Sequence, residues 1–200
     1  EAMAIKDGKI VATGTNDAIT GKYQADSMVD AKGAALYPGL IDAHAHFMGY
    51  GASLFQVELY NTATWEETVD RIVAFAKAHP EIKFIRGRGW DQNKWPGKKY
   101  PTNELLNQRF PTTPVLIERV DGHASIANAA ALELAGIQPG DKVVGGEIET
   151  KNGVLTGVMI DNGDAAVNAK IPAPTKEELT AWLQAAEKNC FAQGLTTITD

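Results

Sequence analysis

The chain has 200 residues, 44% of them hydrophobic and 22% charged, with a formal net charge of -6. This suits one good-sized folded domain, or one plus a small one, and the only dense basic run, Lys94 to Lys99, is too short to track nucleic-acid phosphates. A single cysteine, Cys190, excludes an internal disulfide and a cysteine-built zinc site, and no apolar run approaches a membrane span.

In chain order, residues 2–37 read as short strands. "AMAIKDGKIVATG" alternates around Asp7-Gly8, a dipeptide suited to a type I′ hairpin turn, and "SMVDAKGAALYPG" repeats the pattern around Lys32-Gly33. "LIDAHAHF" reads as a strand. "TWEETVDRIVAFAKAHP" predicts a helix: Thr64 and Glu67 form a capping box, Trp65, Val69, Ile72, Val73 and Ala76 share one face, and Pro80 ends it. "IKFIRGRGW" is a predicted strand leading into the loop "DQNKWPGKKYP". "TNELLNQRF" predicts a short helix and "PVLIERV" a strand.

"SIANAAALELAG" reads as an Ala-rich helix with Ser125 as its N-cap and Gly136 past its end. "GGEIETKNGVLTGVMI" predicts a hairpin over Asn152-Gly153. "TKEELTAWLQAAEKNCFAQG" is a helix with a Thr175–Glu178 capping box and a Gly194 stop, on which Cys190 is expected as a small buried residue. "LTTITD" closes as a strand. From residue 40 onward strands and helices largely alternate, an α/β pattern.

Two of the four histidines stand one residue apart in "PGLIDAHAHF". Side chains at i, i+2 and i+4 of a strand share a face, so Asp42, His44 and His46 are expected to point one way and Ile41, Ala43 and Ala45 the other. Imidazoles so spaced have Cβ atoms about 7 Å apart, within reach of one metal ion. Asp42 is then placed to orient a ligand or to terminate the strand's polar row. A bare His-x-His is by itself compatible with two ordinary histidines. Its position at the end of an α/β strand is where such folds keep their chemistry.

"GKIVATG" followed by "VDAKGAALYPGLIDAHAHF" resembles the N-terminal part of the amidohydrolase superfamily. "RGRGWDQNKWP", "PVLIERVDGHASIANAAALELAGI", "GGEIETKNGVLTGVMIDN" and "GLTTITD" narrow the likeness to its YtcJ-like branch of metal-dependent hydrolases, over essentially the whole chain. The resemblance implies an α/β fold: part of a (β/α)8 TIM-type barrel, with a small β-sandwich to which residues 1–37 contribute. Residues 38–200 would begin the barrel with strands one and two, carrying a large insertion over 50–190. His44 and His46 would bind zinc or another divalent metal, as one or two ions. The metal would activate water to hydrolyse a non-peptide carbon–nitrogen bond in an amide, formamide or cyclic amide. Ester or phosphoester hydrolysis, deamination, and a catalytically degenerate binding or regulatory module are the alternatives.

The superfamily pattern also needs a bridging acid or modified lysine, two more histidines and a late general-base Asp. These are expected beyond residue 200, and a partial barrel leaves unpaired strand edges, so the missing C-terminal portion of the same protein is the expected partner. The substrate is expected to be a small molecule, with no nucleic acid and no membrane; a homodimer is left open. The cytoplasm is the favoured compartment, with a signal peptide left open because residue 1 is not Met.

Trp90, Asp91 and His123 are candidate substrate-binding residues, with Asn93 and Trp95 in the same polar-aromatic loop. Arg86 and Arg88 alternate on a strand and are expected to position an acidic group or to pair with Glu118 or Asp121. Asp161 is read as an ordinary exposed turn residue in preference to a metal ligand, and His79 as a surface residue.

Overall fold

The computed structural model describes residues 1–200, which divide into two compact units, Glu1–Pro38 and Gly39–Asp200. In the first, β1 (Ala2–Lys6) and β2 (Lys9–Gly14) form an antiparallel hairpin. Asp7 and Gly8 both take positive φ, as a type I′ turn demands. A short helix, α1 (Asn16–Lys22), follows where only strands were expected. Thr15 caps it by accepting the Ala18 N–H, and Ile19 is its buried residue. The second expected hairpin is absent. Lys32 and Gly33 do turn, at φ 50° and 80°, but their flanks find no partner strand and form no ladder. A hairpin and one helix are what this unit contains; no sandwich is formed by these residues.

In the second unit, β3 (Leu40–Asp42) runs into α2 (Phe47–Ser53). There follow β4 (Val57–Glu58), α3 (Trp65–Ala78), β5 (Ile85–Trp90), α4 (Glu104–Arg109) and β6 (Val115–Arg119). Then come β7 (Ala124–Ala127), α5 (Ala129–Ala135), the hairpin β8 (Gly146–Lys151) and β9 (Val154–Asp161), and α6 (Ala165–Asn168). The long α7 (Lys176–Ala192) and β10 (Leu195–Ile198) close the chain. Six strands form one mixed sheet in the order β4-β5-β6-β7-β9-β8, and β3 pairs in parallel with β10 as a separate two-stranded sheet. The fold is α/β; these residues close no barrel.

The cross-strand register explains the core. Val57, Ile85, Val115, Ile117, Ile126 and Val158 share one face of the large sheet and pack against Val69 and Ile72 of α3 and Leu106 of α4. The opposite face is divided. Leu116, Ala127 and Met159 pack with Ala131 and Leu132 of α5 and Val167 of α6. Glu58, Arg86, Arg88 and Glu118 on that same face carry charge.

Ser125 lies inside β7 and caps no helix. Its strand is an inner one, bonded to β6 and β9, and that pairing overrides the helical propensity of the alanines. Asn128 is the N-cap instead. Its Oδ1 accepts the N–H groups of Ala131 and Val115, while its amide donates to Phe110 and Thr113 carbonyls. The other predicted helix starts stand where expected. Thr175 and Glu178 form a complete capping box on α7. On α3, Thr64 accepts the Glu67 N–H, but the Glu67 carboxylate takes the N–H of Ala63 rather than that of the cap residue.

Candidate functional site

The strand carrying the His-x-His pair is shorter than expected. Asp42 stops it: its carboxylate accepts the His44 N–H at 3.1 Å, turning the chain out of the extended form. His44 lies in the bend that follows, and His46 is the N-cap residue of α2. Strict alternation over residues 42–46 therefore fails, yet the two rings are still brought together. Their centroids are 5.1 Å apart, edge to face, and both side chains are exposed. Ile41, expected on the face opposite the histidines, is 70% exposed.

The partner strand supplies an acid that the sequence reading did not single out. Asp200, just past the end of β10, accepts the Phe47 N–H at 3.0 Å with Oδ2, and its Oδ1 lies 3.8 Å from His46 Nδ1. The available signal was its place: an acid directly after a strand whose parallel neighbour ends in the histidine pair. Ala45 N–H to Thr199 O and Thr199 N–H to Asp42 O stitch the two strand ends together. Imidazole nitrogens and a carboxylate are the donor types zinc prefers, so the side chains fit part of a metal site. No group of three or more His, Cys, Asp or Glu side chains is placed to hold an ion.

The other candidates lie elsewhere. Trp90 is fully buried, its indole N–H donating to the Ile117 carbonyl at 3.2 Å, and it stacks on Trp95. It packs the core and offers no face to a ligand. Asp91 caps the short turn at Gln92–Lys94, accepting the N–H of Asn93. His79 is at the end of α3 beside Glu81. Cys190 is half-buried on α7 and lines a small cleft with Tyr50 and Leu195.

His123 and Asp161 form a pair: His123 Nδ1 is 2.8 Å from Asp161 Oδ1, and the Asp161 N–H donates to the His123 carbonyl. The hydrogen bond and the negative charge of Asp161, with Asp121 adding to them, raise the His123 pKa above its ordinary value. Asp161 holds φ at 47° with ψ at -121°, a conformation that favours glycine. A non-glycine residue held there is a common mark of a functional position. Strand patterning gave no signal for this conformation, because Asp161 is the last residue of β9, away from the Asn152-Gly153 turn. Asp121, two residues from His123, is held below the usual carboxylate range by the Arg119 guanidinium, which reaches it with two hydrogen bonds.

Comparison with known proteins agrees with the likeness in the motifs. Residues 27–200 match the amidohydrolase family. A Bacillus subtilis (strain 168) protein named as the amidohydrolase YtcJ is 30% identical over 98% of this chain, which spans 38% of that protein. The N-substituted formamide deformylase of Arthrobacter pascens is 28% identical over 80% of the chain, corresponding to 31% of its own length. In structure, an uncharacterized metal-dependent hydrolase from Pyrococcus horikoshii OT3 superposes with a TM-score of 0.65 at 22% identity, over 98% of this chain and 38% of that one. The chain thus spans less than two fifths of the length of each of these relatives.

Proposed function

The chain belongs to the amidohydrolase family, and on that premise we propose that it provides the first two metal ligands of a hydrolase cleaving a non-peptide carbon–nitrogen bond. The observation that carries the reading is the approach of His44 and His46 at the end of β3, with Asp200 beside His46 from β10. His44 and His46 would hold a divalent ion, zinc by donor type; the ion, when bound, supplies Lewis acidity and lowers the pKa of a coordinated water. The name of the formamide deformylase relative supports an amide-like substrate class.

The chain's own residues then have separable tasks. Asp42 ends the strand by taking the His44 N–H and so turns the first imidazole out of the sheet. Asp200 fixes the start of α2 through the Phe47 N–H and places a negative charge near His46 Nδ1. That charge favours the tautomer with its proton on Nδ1, leaving Nε2 free to donate its lone pair.

The test is metal content with a hydrolysis screen over amides, formamides and cyclic amides. His44→Ala combined with His46→Ala is expected to remove the bound metal and any hydrolysis. Stoichiometric zinc retained by that double variant would overturn the ligand assignment.

A further inference from the structure

A cleft of about 390 Å³ opens on the charged part of the large sheet's divided face. Four ionised side chains line it. Two are compensated by neighbours: Glu118 by Arg88 at 3.7 Å, and Asp161 by His123 at 2.8 Å. The other two, Arg86 from β5 and Asp164 from the turn after β9, are half-buried and uncompensated. Asp164 makes no capping bond to the helix it precedes. Arg86 has no acid within 4.0 Å, its strand neighbour Arg88 being the one that takes Glu118. The cleft therefore holds one free cation and one free anion that do not reach each other. Between the charged groups it offers the carboxamides of Gln56, Asn162 and Asn168.

Partly desolvated charges left without partners are costly, so a site that keeps both is built for complementary charges from outside. A guanidinium presents a planar fork that matches a carboxylate, and a carboxylate accepts from an ammonium. We propose that this cleft binds a free amino acid, with its carboxylate on Arg86 and its ammonium on Asp164. The carboxamides hydrogen-bond whatever polar groups remain. None of the residues lining this cleft belongs to the histidine pair.

Calorimetric titration of the full chain with free L-α-amino acids and short ω-amino acids tests it. One or more should bind saturably at one site. N-acetylation or carboxamide formation on the best binder should each weaken binding at least about tenfold. Arg86→Gln should abolish the preference for free acid over carboxamide, and Asp164→Asn the preference for free amine over its acetylated form. The His44→Ala, His46→Ala double variant should bind as the parent does, which separates this site from the metal reading. Circular dichroism checks that the variants fold, and the blocked ligands test the charges without any substitution. No saturable binding across the panel, or blocked ligands binding as tightly as their parents, would overturn the proposal. So would an Arg86→Gln variant that keeps its full preference for the free acid.

Discussion

The six-stranded sheet and the β3–β10 pair are built from the same alternation of strands and helices, yet they differ sharply in how much they bury. The large sheet covers one face with α3 and α4 and part of the other with α5 and α6, leaving Trp90, Ile117, Ile126 and Met159 fully enclosed. In the two-stranded pair, Leu40 is 56% and Ile41 70% exposed, and α7, though 17 residues long, buries only Ala186 completely. The contrast teaches that apolar content does not by itself make a core. The sheet finds both its partners within residues 57–168, whereas β3 and β10 have only each other as strand neighbours. The histidine pair thus lies beside the less buried of the two sheets.

Substitutions can sharpen or break that contrast. The largest loss is expected from Trp90→Ala, which empties a fully buried site and removes the indole hydrogen bond to the Ile117 carbonyl. Urea unfolding should show about 3–5 kcal/mol, and a loss below about 1 kcal/mol would mean Trp90 is not the packing residue described. Asn128→Ala should follow at about 2–4 kcal/mol, because it unpairs the buried Val115 N–H and removes the α5 cap together. At the other region, Thr175→Ala removes the α7 capping box and should cost about 1 kcal/mol. Ile41→Ala should stay within about 0.5 kcal/mol; a change comparable with that of Trp90→Ala would erase the difference between the two regions.

The smallest expected effect is a titration. Because the folded His123 pKa is raised by Asp161, the pair is fully formed below the unfolded histidine value, about 6.5. It is lost as pH rises through the higher folded value. Nuclear magnetic resonance should place the His123 midpoint above that of a free histidine, and Asp161→Asn should lower it. An unmoved midpoint would remove Asp161 as the cause.

Much of the fold was legible where a few neighbouring residues decide it. Asp7-Gly8 and Asn152-Gly153 demand positive φ and take it, and the Thr64 and Thr175 caps start helices at the residues that follow them. What failed depends on partners far away in sequence. Lys32-Gly33 turns, but no strand arrives to pair with its flanks. Ser125 looks like a cap until β6 and β9 claim its strand. The histidine pair was legible as a motif, and its shortened strand was not, because the Asp42 side chain can end a strand or line its face with equal local plausibility. Asp200, and the pairing of Asp161 with His123, escaped for the same reason: each role depends on a residue brought near by the fold, His46 in one case and His123 in the other.

The bond from the Phe47 N–H to Asp200 joins positions 153 apart in sequence, and this separation has a kinetic consequence. Closing so long a loop is entropically unfavourable until the intervening chain has compacted. The large sheet, whose strands meet over shorter separations, should organise first and bring β3 and β10 within reach of each other. Substitutions at Asp42 or Asp200 should therefore speed unfolding while leaving the refolding rate almost unchanged. The histidine pair would be assembled by the last strands to meet and be the first part of the unit to come apart.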